Sequence, residues 1–152
     1  MHLLPAQASE VNKRVLIVDD DEGARRDFCL TLKGAGYQVA EAWSVVQAMR
    51  MLLSFKPSAV VLDLILPDGH GVEIGRAMRA IVTTQRTCVV AVTSSPASLT
   101  LVDPASFGAR AILLKPLAPE MLLSAISECF DAPPPSTAFD AMEKPTGLGE
   151  AN

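Results

Sequence analysis

Four short runs of aliphatic residues, each stopped by a polar side chain, constrain this chain more than any other feature. Val15-Leu16-Ile17-Val18 ends at Asp19, Ala59-Val60-Val61-Leu62 at Asp63, Cys88-Val89-Val90-Ala91-Val92 at Thr93, and Ala111-Ile112-Leu113-Leu114 at Lys115. A fifth, weaker run is Tyr37-Gln38-Val39-Ala40. Runs this short, rich in Val and Ile and without polar alternation, read as strands buried on both faces. Helical patterns separate them. Residues 22–33 follow a candidate N-cap, Asp21, and stop at Gly34 and Gly36, with Ala24, Phe28, Leu30, Thr31 and Leu32 as the apolar side. Ser44 can cap a helix carrying Val45, Val46, Met49, Leu52 and Leu53, which Pro57 ends. Gly71 opens a third helix with Val72, Ile74, Gly75, Ala77, Met78 and Ile81, and residues 117–130 form the last. Residues 94–107 begin like a helix, but Asp103-Pro104 should break or kink it. Alternating strands and helices specify an α/β fold: a five-stranded parallel sheet, doubly wound, with helices on both faces. Right-handed crossovers bring the carboxyl ends of all the strands to one edge.

At 152 residues the chain has room for one domain with loose ends. Residues 1–12 read as a flexible lead-in, and residues 132–152, rich in Pro, Gly and small polar residues, as a disordered tail. A net charge of −4 gives no reason to expect direct binding to nucleic acid or to an anionic membrane. The sequence has neither a bilayer-spanning apolar run nor the charged and apolar regions of a secretory signal, so a cytoplasmic location is expected. Cys29, Cys88 and Cys129 lack metal-ligand spacing and read as buried reduced thiols.

The polar residues at the strand ends are the candidate site. In open α/β sheets, ligands bind beyond the carboxyl ends of the strands. Asp19, Asp20 and Asp63 placed together would repel one another, and a divalent cation would relieve that repulsion. Carboxylate oxygens favour Mg²⁺, Mn²⁺ or Ca²⁺ over zinc. Lys115 can bind an anion, Thr93 can donate a hydrogen bond, and a carboxylate can act as nucleophile. Together these groups make a phosphoryl-transfer site.

The motifs VLIVDDD (15–21), VVLDLILPDGHG (60–71), VVAVTS (89–94) and ILLKP (112–116) resemble, in order and separation, the receiver domains of two-component response regulators. The resemblance runs from about Arg14 to Phe130. It implies a flavodoxin-like fold, with the receiver domain over residues 13–131. Asp63 would be the phosphoacceptor. Mg²⁺ would be held by Asp20 and Asp63, by Asp19 through water, and by the Ile65 carbonyl. Thr93 would hydrogen-bond the phosphoryl group and Lys115 would pair with it. The Lys115-Pro116 peptide would be cis, and Pro67 and Gly71 would shape the loop after the acceptor. The implied partners are a sensor histidine kinase or histidine phosphotransfer protein, and a downstream protein on the face formed by helix 4, strand 5 and helix 5. That face could also make a homodimer. Such a module is not an enzyme beyond its own phosphorylation and dephosphorylation. Too few residues follow Phe130 for an output domain, so a stand-alone regulator is expected.

Three positions depart from the family pattern. Ile112 stands where an aromatic switch residue is usual, Asp103-Pro104 interrupts the fourth helix, and Ile65 is apolar where many relatives are polar. A receiver-like scaffold that is never phosphorylated is one alternative. Another is a haloacid-dehalogenase-type phosphatase, whose second Asp would fall at Ile65. A dinucleotide-binding domain would need glycines where this first turn has aspartates. Among the remaining residues, Arg25 and Arg26 read as a solvated helix face, His70 as an exposed loop residue, Ser94 as a helix-cap or loop residue, and Trp43 as packing at a loop–helix junction. Met49, Met51 and Met78 read as core.

Overall fold

The structure, a computed structural model, describes residues 13–131. The lead-in and tail expected at residues 1–12 and 132–152 lie outside the described residues. Five parallel strands form one sheet: β1 (Arg14–Val18), β2 (Gln38–Ala42), β3 (Ala59–Asp63), β4 (Cys88–Thr93) and β5 (Ala109–Leu114). Their spatial order is β2-β1-β3-β4-β5. Every residue of β3 and β4 is buried.

Because strand side chains alternate, each aliphatic run feeds two cores at once. Leu16, Val18, Val60, Leu62, Val89 and Ala91 pack on one face with Ala48 and Leu52 of α2 (Val45–Ser54) and with Ile74 and Met78 of α3 (Gly71–Ala80). Val15, Ile17, Ala59, Val61, Val90 and Val92 pack on the other face. There they meet Phe28, Cys29 and Leu32 of α1 (Glu22–Gly34) and Leu122 and Ile126 of α5 (Pro119–Asp131). Leu30, expected on the buried side of α1, is 64% exposed, and Cys29 takes the inward place.

Asp21 caps α1 by accepting from the Ala24 N–H at 2.9 Å, and Ser44 caps α2 by accepting from Gln47 at 3.1 Å. The segment broken by Asp103-Pro104 is a four-residue helix, α4 (Ser98–Leu101), followed by a 3₁₀ turn over Pro104–Phe107. Asp103 caps that turn, and the proline stands at its start, where it forfeits no hydrogen bond. Phe107 is fully buried and fills the space left by Gly75 of α3; a methyl group on Gly75 would lie 2.6 Å from the Phe107 carbonyl.

The cysteine reading needs one correction. Cys88, at the start of β4, and Cys129, in the last turn of α5, form a disulfide, and only Cys29 is a free buried thiol. The two residues are 41 apart in sequence, so the pairing depends on α5 folding back along β4, which spacing alone does not reveal.

Candidate functional site

β1 and β3 are adjacent, so their ends bring Asp19 and Asp63 side by side. Both residues continue the parity of the side chains that face α1 and α5. Lys115 does the same one residue beyond β5, following Leu113. The lysine reaches across the sheet end: its Nζ donates to Asp19 Oδ2 at 2.8 Å and to Asp63 Oδ2 at 3.2 Å. The remaining oxygens are held by the backbone. Asp19 Oδ1 accepts from the Asp21 N–H at 2.9 Å, and Asp63 Oδ1 from the Ile65 N–H at 3.1 Å. Asp20 is exposed, and none of the described residues hydrogen-bonds or ion-pairs its carboxylate. Asp19, Asp20 and Asp63 each offer an oxygen within 4.8 Å of the other two. Three hard oxygen donors at that spacing fit a divalent cation of the Mg²⁺ type.

Burial pushes the Asp63 carboxyl up to about 6, with the Asp19 charge adding to the rise; the Ile65 N–H and Lys115 act in the opposite direction. Burial pulls the Lys115 ammonium down, but hydrogen bonding and charge from Asp19, joined by Asp63, outweigh it and leave Lys115 above its ordinary value. The site is therefore short of positive charge at neutral pH.

A cleft of about 700 Å³ opens over these groups, with Asp20, Asp63, Thr93, Ser94 and Lys115 on its polar side and Phe28, Ile65 and Leu117 on its apolar side. Thr93 is buried at the end of β4, and its Oγ1 accepts from the Ser95 N–H at 3.1 Å. Ile65 is 57% exposed at the rim. The Lys115-Pro116 peptide is cis. Gly71 lies so close to the Asp63 carbonyl that any Cβ there would collide with it, so only glycine fits. Ile112 is half-buried against the α2–α3 core, on the same sheet face as Thr93 and two residues before Thr93's neighbour Leu114.

The structure thus brings together Asp19, Asp20, Asp63, Thr93 and Lys115, with Ile65 at their edge. His70 is exposed at the start of α3 and outside the cleft. Two residues that sequence reasoning left out of the site adjoin it. Arg25 is not a solvated side chain: it is 14% exposed, pairs with Glu41 at 2.9 Å and donates to the Asp19 carbonyl at 2.9 Å. Asp68, two residues before His70 in the loop, accepts from the N–H groups of Val45 and Val46 at 2.7 and 3.1 Å. The Arg25 contact depends on β2 lying beside β1, and the Asp68 contact spans more than twenty residues. No local pattern signals either.

Residues 15–127 match the model of the response regulator receiver domain. This chain belongs to that family. It is 32% identical over 129 residues to the response regulator MprA of Mycobacterium bovis, covering 85% of this chain and 55% of that protein. It is 29% identical over 114 residues to the phosphate regulon transcriptional regulatory protein PhoB of Pseudomonas aeruginosa, covering 75% and 50%. The chain spans about half the length of these curated relatives. Among solved structures, the chemotaxis response regulator CheY4 of Vibrio cholerae superposes with a TM-score of 0.72 at 26% identity, covering 78% of this chain and 99% of that one. The receiver-domain sheet is therefore shared with known response regulators. No helix among the described residues is long and apolar enough to cross a membrane.

Proposed function

We propose that this receiver domain takes a phosphoryl group from a phosphohistidine onto Asp63 and signals through the change that follows. The observation that carries this reading is Lys115 held between Asp19 and Asp63 in a cleft that also contains the exposed Asp20. In the transfer, an Asp63 carboxylate oxygen forms a bond to phosphorus as the donor's N–P bond breaks, and the histidine, protonated on its other ring nitrogen, takes the electron pair and leaves as neutral imidazole. Asp20 and Asp63, the Ile65 carbonyl, and Asp19 through water would hold Mg²⁺. When bound, the ion neutralises the carboxylates and shields the charge of the phosphoryl oxygens. Lys115, already in contact with Asp63, pairs with the new phosphoryl group. Thr93 supplies a hydroxyl donor by turning from the Ser95 N–H toward the cleft.

The donor would be a sensor histidine kinase or a histidine phosphotransfer protein. The output would be a protein contact on the face formed by α4, β5 and α5, with a homodimer through that face as a second use. No direct contact of residues 13–131 with nucleic acid is proposed, and the setting is cytoplasmic. Thr93 and Ile112 share a sheet face, so movement of the hydroxyl would repack an aliphatic side chain in place of an aromatic ring. Because Ile112 is already half-buried, the displacement should be small.

Intact mass after incubation with acetyl phosphate tests this reading. The expected result is a single phosphoryl increment that requires Mg²⁺ and is absent in Asp63→Asn. A folded, Mg²⁺-binding protein that gains no increment would instead be a phosphorylation-independent scaffold.

A further inference from the structure

The two loops that supply the carboxylates are both tied to a third segment, the junction between β2 and α2. On one side, Arg25 reaches that junction from the first turns of α1. Its Nε donates to Glu41 Oε1 at 2.9 Å, its Nη1 donates to the Asp19 carbonyl at 2.9 Å, and its guanidinium lies 5.3 Å from the centre of the Trp43 ring. Asp19 is gripped a second time at the same junction, where its N–H donates to the Ala42 carbonyl at 3.0 Å. Arg25 and Trp43 also line a cavity with Asp20, Glu22 and Pro67, so the clamp borders the exposed Asp20 carboxylate.

On the other side, Asp68 reaches the same junction from the loop that follows Asp63. Its two oxygens accept from Val45 and Val46, at the start of α2, in a cap supplied from a distant part of the chain. The loop also leans on the junction through van der Waals contact. A methyl group on Gly69 would sit 3.0 Å from the Val45 side chain. Ser44 caps the same helix from within, through Gln47, so Asp68 is not needed merely to start α2.

We propose that Arg25 and Asp68 are positioning residues that fasten the two acidic loops to the β2–α2 junction, and that this junction sets how tightly the cleft holds Mg²⁺. The reasoning is geometric. A small hard cation demands short, near-ideal contacts to all its oxygens, so loops free to drift lose affinity before they lose structure. Arg25 is suited to its place because a guanidinium can satisfy Glu41 and the Asp19 carbonyl at once. Its pairing with Glu41 also keeps its charge from competing with the cation. The inference rests on reading the carboxylate cluster as a Mg²⁺ site.

Calorimetric titration with Mg²⁺ tests it, with the emission of Trp43, the chain's single tryptophan, as a second readout. Arg25→Met and Asp68→Ala should each weaken binding roughly tenfold, within the range found for residues that orient metal ligands. Arg25→Lys should fall as far as Arg25→Met, because an ammonium keeps the charge but not the fork. Asp68→Asn should fall part of the way, because its carbonyl keeps one of the two bonds from the start of α2 and its amide nitrogen cannot accept the other. Arg25→Lys keeps the test decisive even if the larger changes impair folding, since an Arg25→Lys protein that binds Mg²⁺ like wild type would overturn the positioning role of Arg25. Wild type that binds no Mg²⁺ would remove the metal-site reading itself. Wild type that binds Mg²⁺, with Arg25→Met and Asp68→Ala unchanged, would overturn the positioning role. So would Asp68→Asn falling as far as Asp68→Ala, since the bond that Asn keeps would then hold nothing in place.

Discussion

Replacing Asp63 with Asn should stabilise the metal-free domain, and by more as the pH rises. Asp63 is 7% exposed, its carboxyl is raised from an ordinary 3.8 to about 6, and burial is the main cause. A carboxyl with a raised value in the folded state binds its proton more tightly there than in the unfolded chain. The stability it contributes is therefore complete below about pH 4 and is lost as pH rises through about 6. The interval corresponds to about 3 kcal/mol by pH 7.5, and about 1 kcal/mol of it is already lost at about pH 4.5. The amide introduced by Asp63→Asn has no such proton to lose. Urea unfolding with EDTA present should show Asp63→Asn ahead of wild type at both pH values, with the gap widening by about 2 kcal/mol between them. Saturating Mg²⁺ should then stabilise wild type and leave Asp63→Asn nearly unmoved. A gap that stayed constant with pH, or a wild type that gained on the variant above pH 6, would refute the view that burial holds the Asp63 carboxyl above its ordinary value.

Other consequences follow from the same geometry. Lys115→Met removes the cation that occupies Asp19 Oδ2 and Asp63 Oδ2, so calorimetry should show tighter Mg²⁺ binding than in wild type. Weaker binding would mean that the lysine organises the carboxylates and does not compete for them. Ile65 is exposed at the rim of the cleft, and its apolar side chain should slow the approach of water to a phosphorylated Asp63. Ile65→Asn should shorten the lifetime of the phosphoryl group, followed by intact mass, and an unchanged lifetime would count against that role. The Cys88–Cys129 bond closes a loop between residues 41 apart, for which chain entropy allows up to about 4 kcal/mol of stabilisation. Cys129→Ser should lose a large part of that in urea unfolding without reductant, and should unfold like the wild type once the wild type is reduced.

The strand runs were legible because strands buried on both faces need only be apolar, and a local run shows that plainly. Asp19, Asp63 and Lys115 could be placed for a related reason: each sits where such a run stops, and a parallel sheet sends all those ends to one edge. The cap at Asp21 and the break at Asp103-Pro104 were equally local, since each depends on neighbours within a few residues. Side-chain facing was less accessible. Leu30 and Cys29 are adjacent on α1, and which one turns inward depends on the angle at which that helix meets the sheet. The sequence pattern places Gly75 on the apolar side of α3, but nothing local signals its fit with Phe107, as small and large partners where the 3₁₀ turn meets that helix.

Sequence by itself therefore determined the strands, their polar ends and the chemical character of the acidic cleft, because each of these is set by a residue's own type and its near neighbours. Tertiary structure alone decided the pairing of Cys88 with Cys129, the grip of Arg25 on the Asp19 carbonyl and the reach of Asp68 to the start of α2. Those contacts depend on how strands and helices stack, and stacking is a cooperative outcome of the whole core, which no short stretch of the chain encodes.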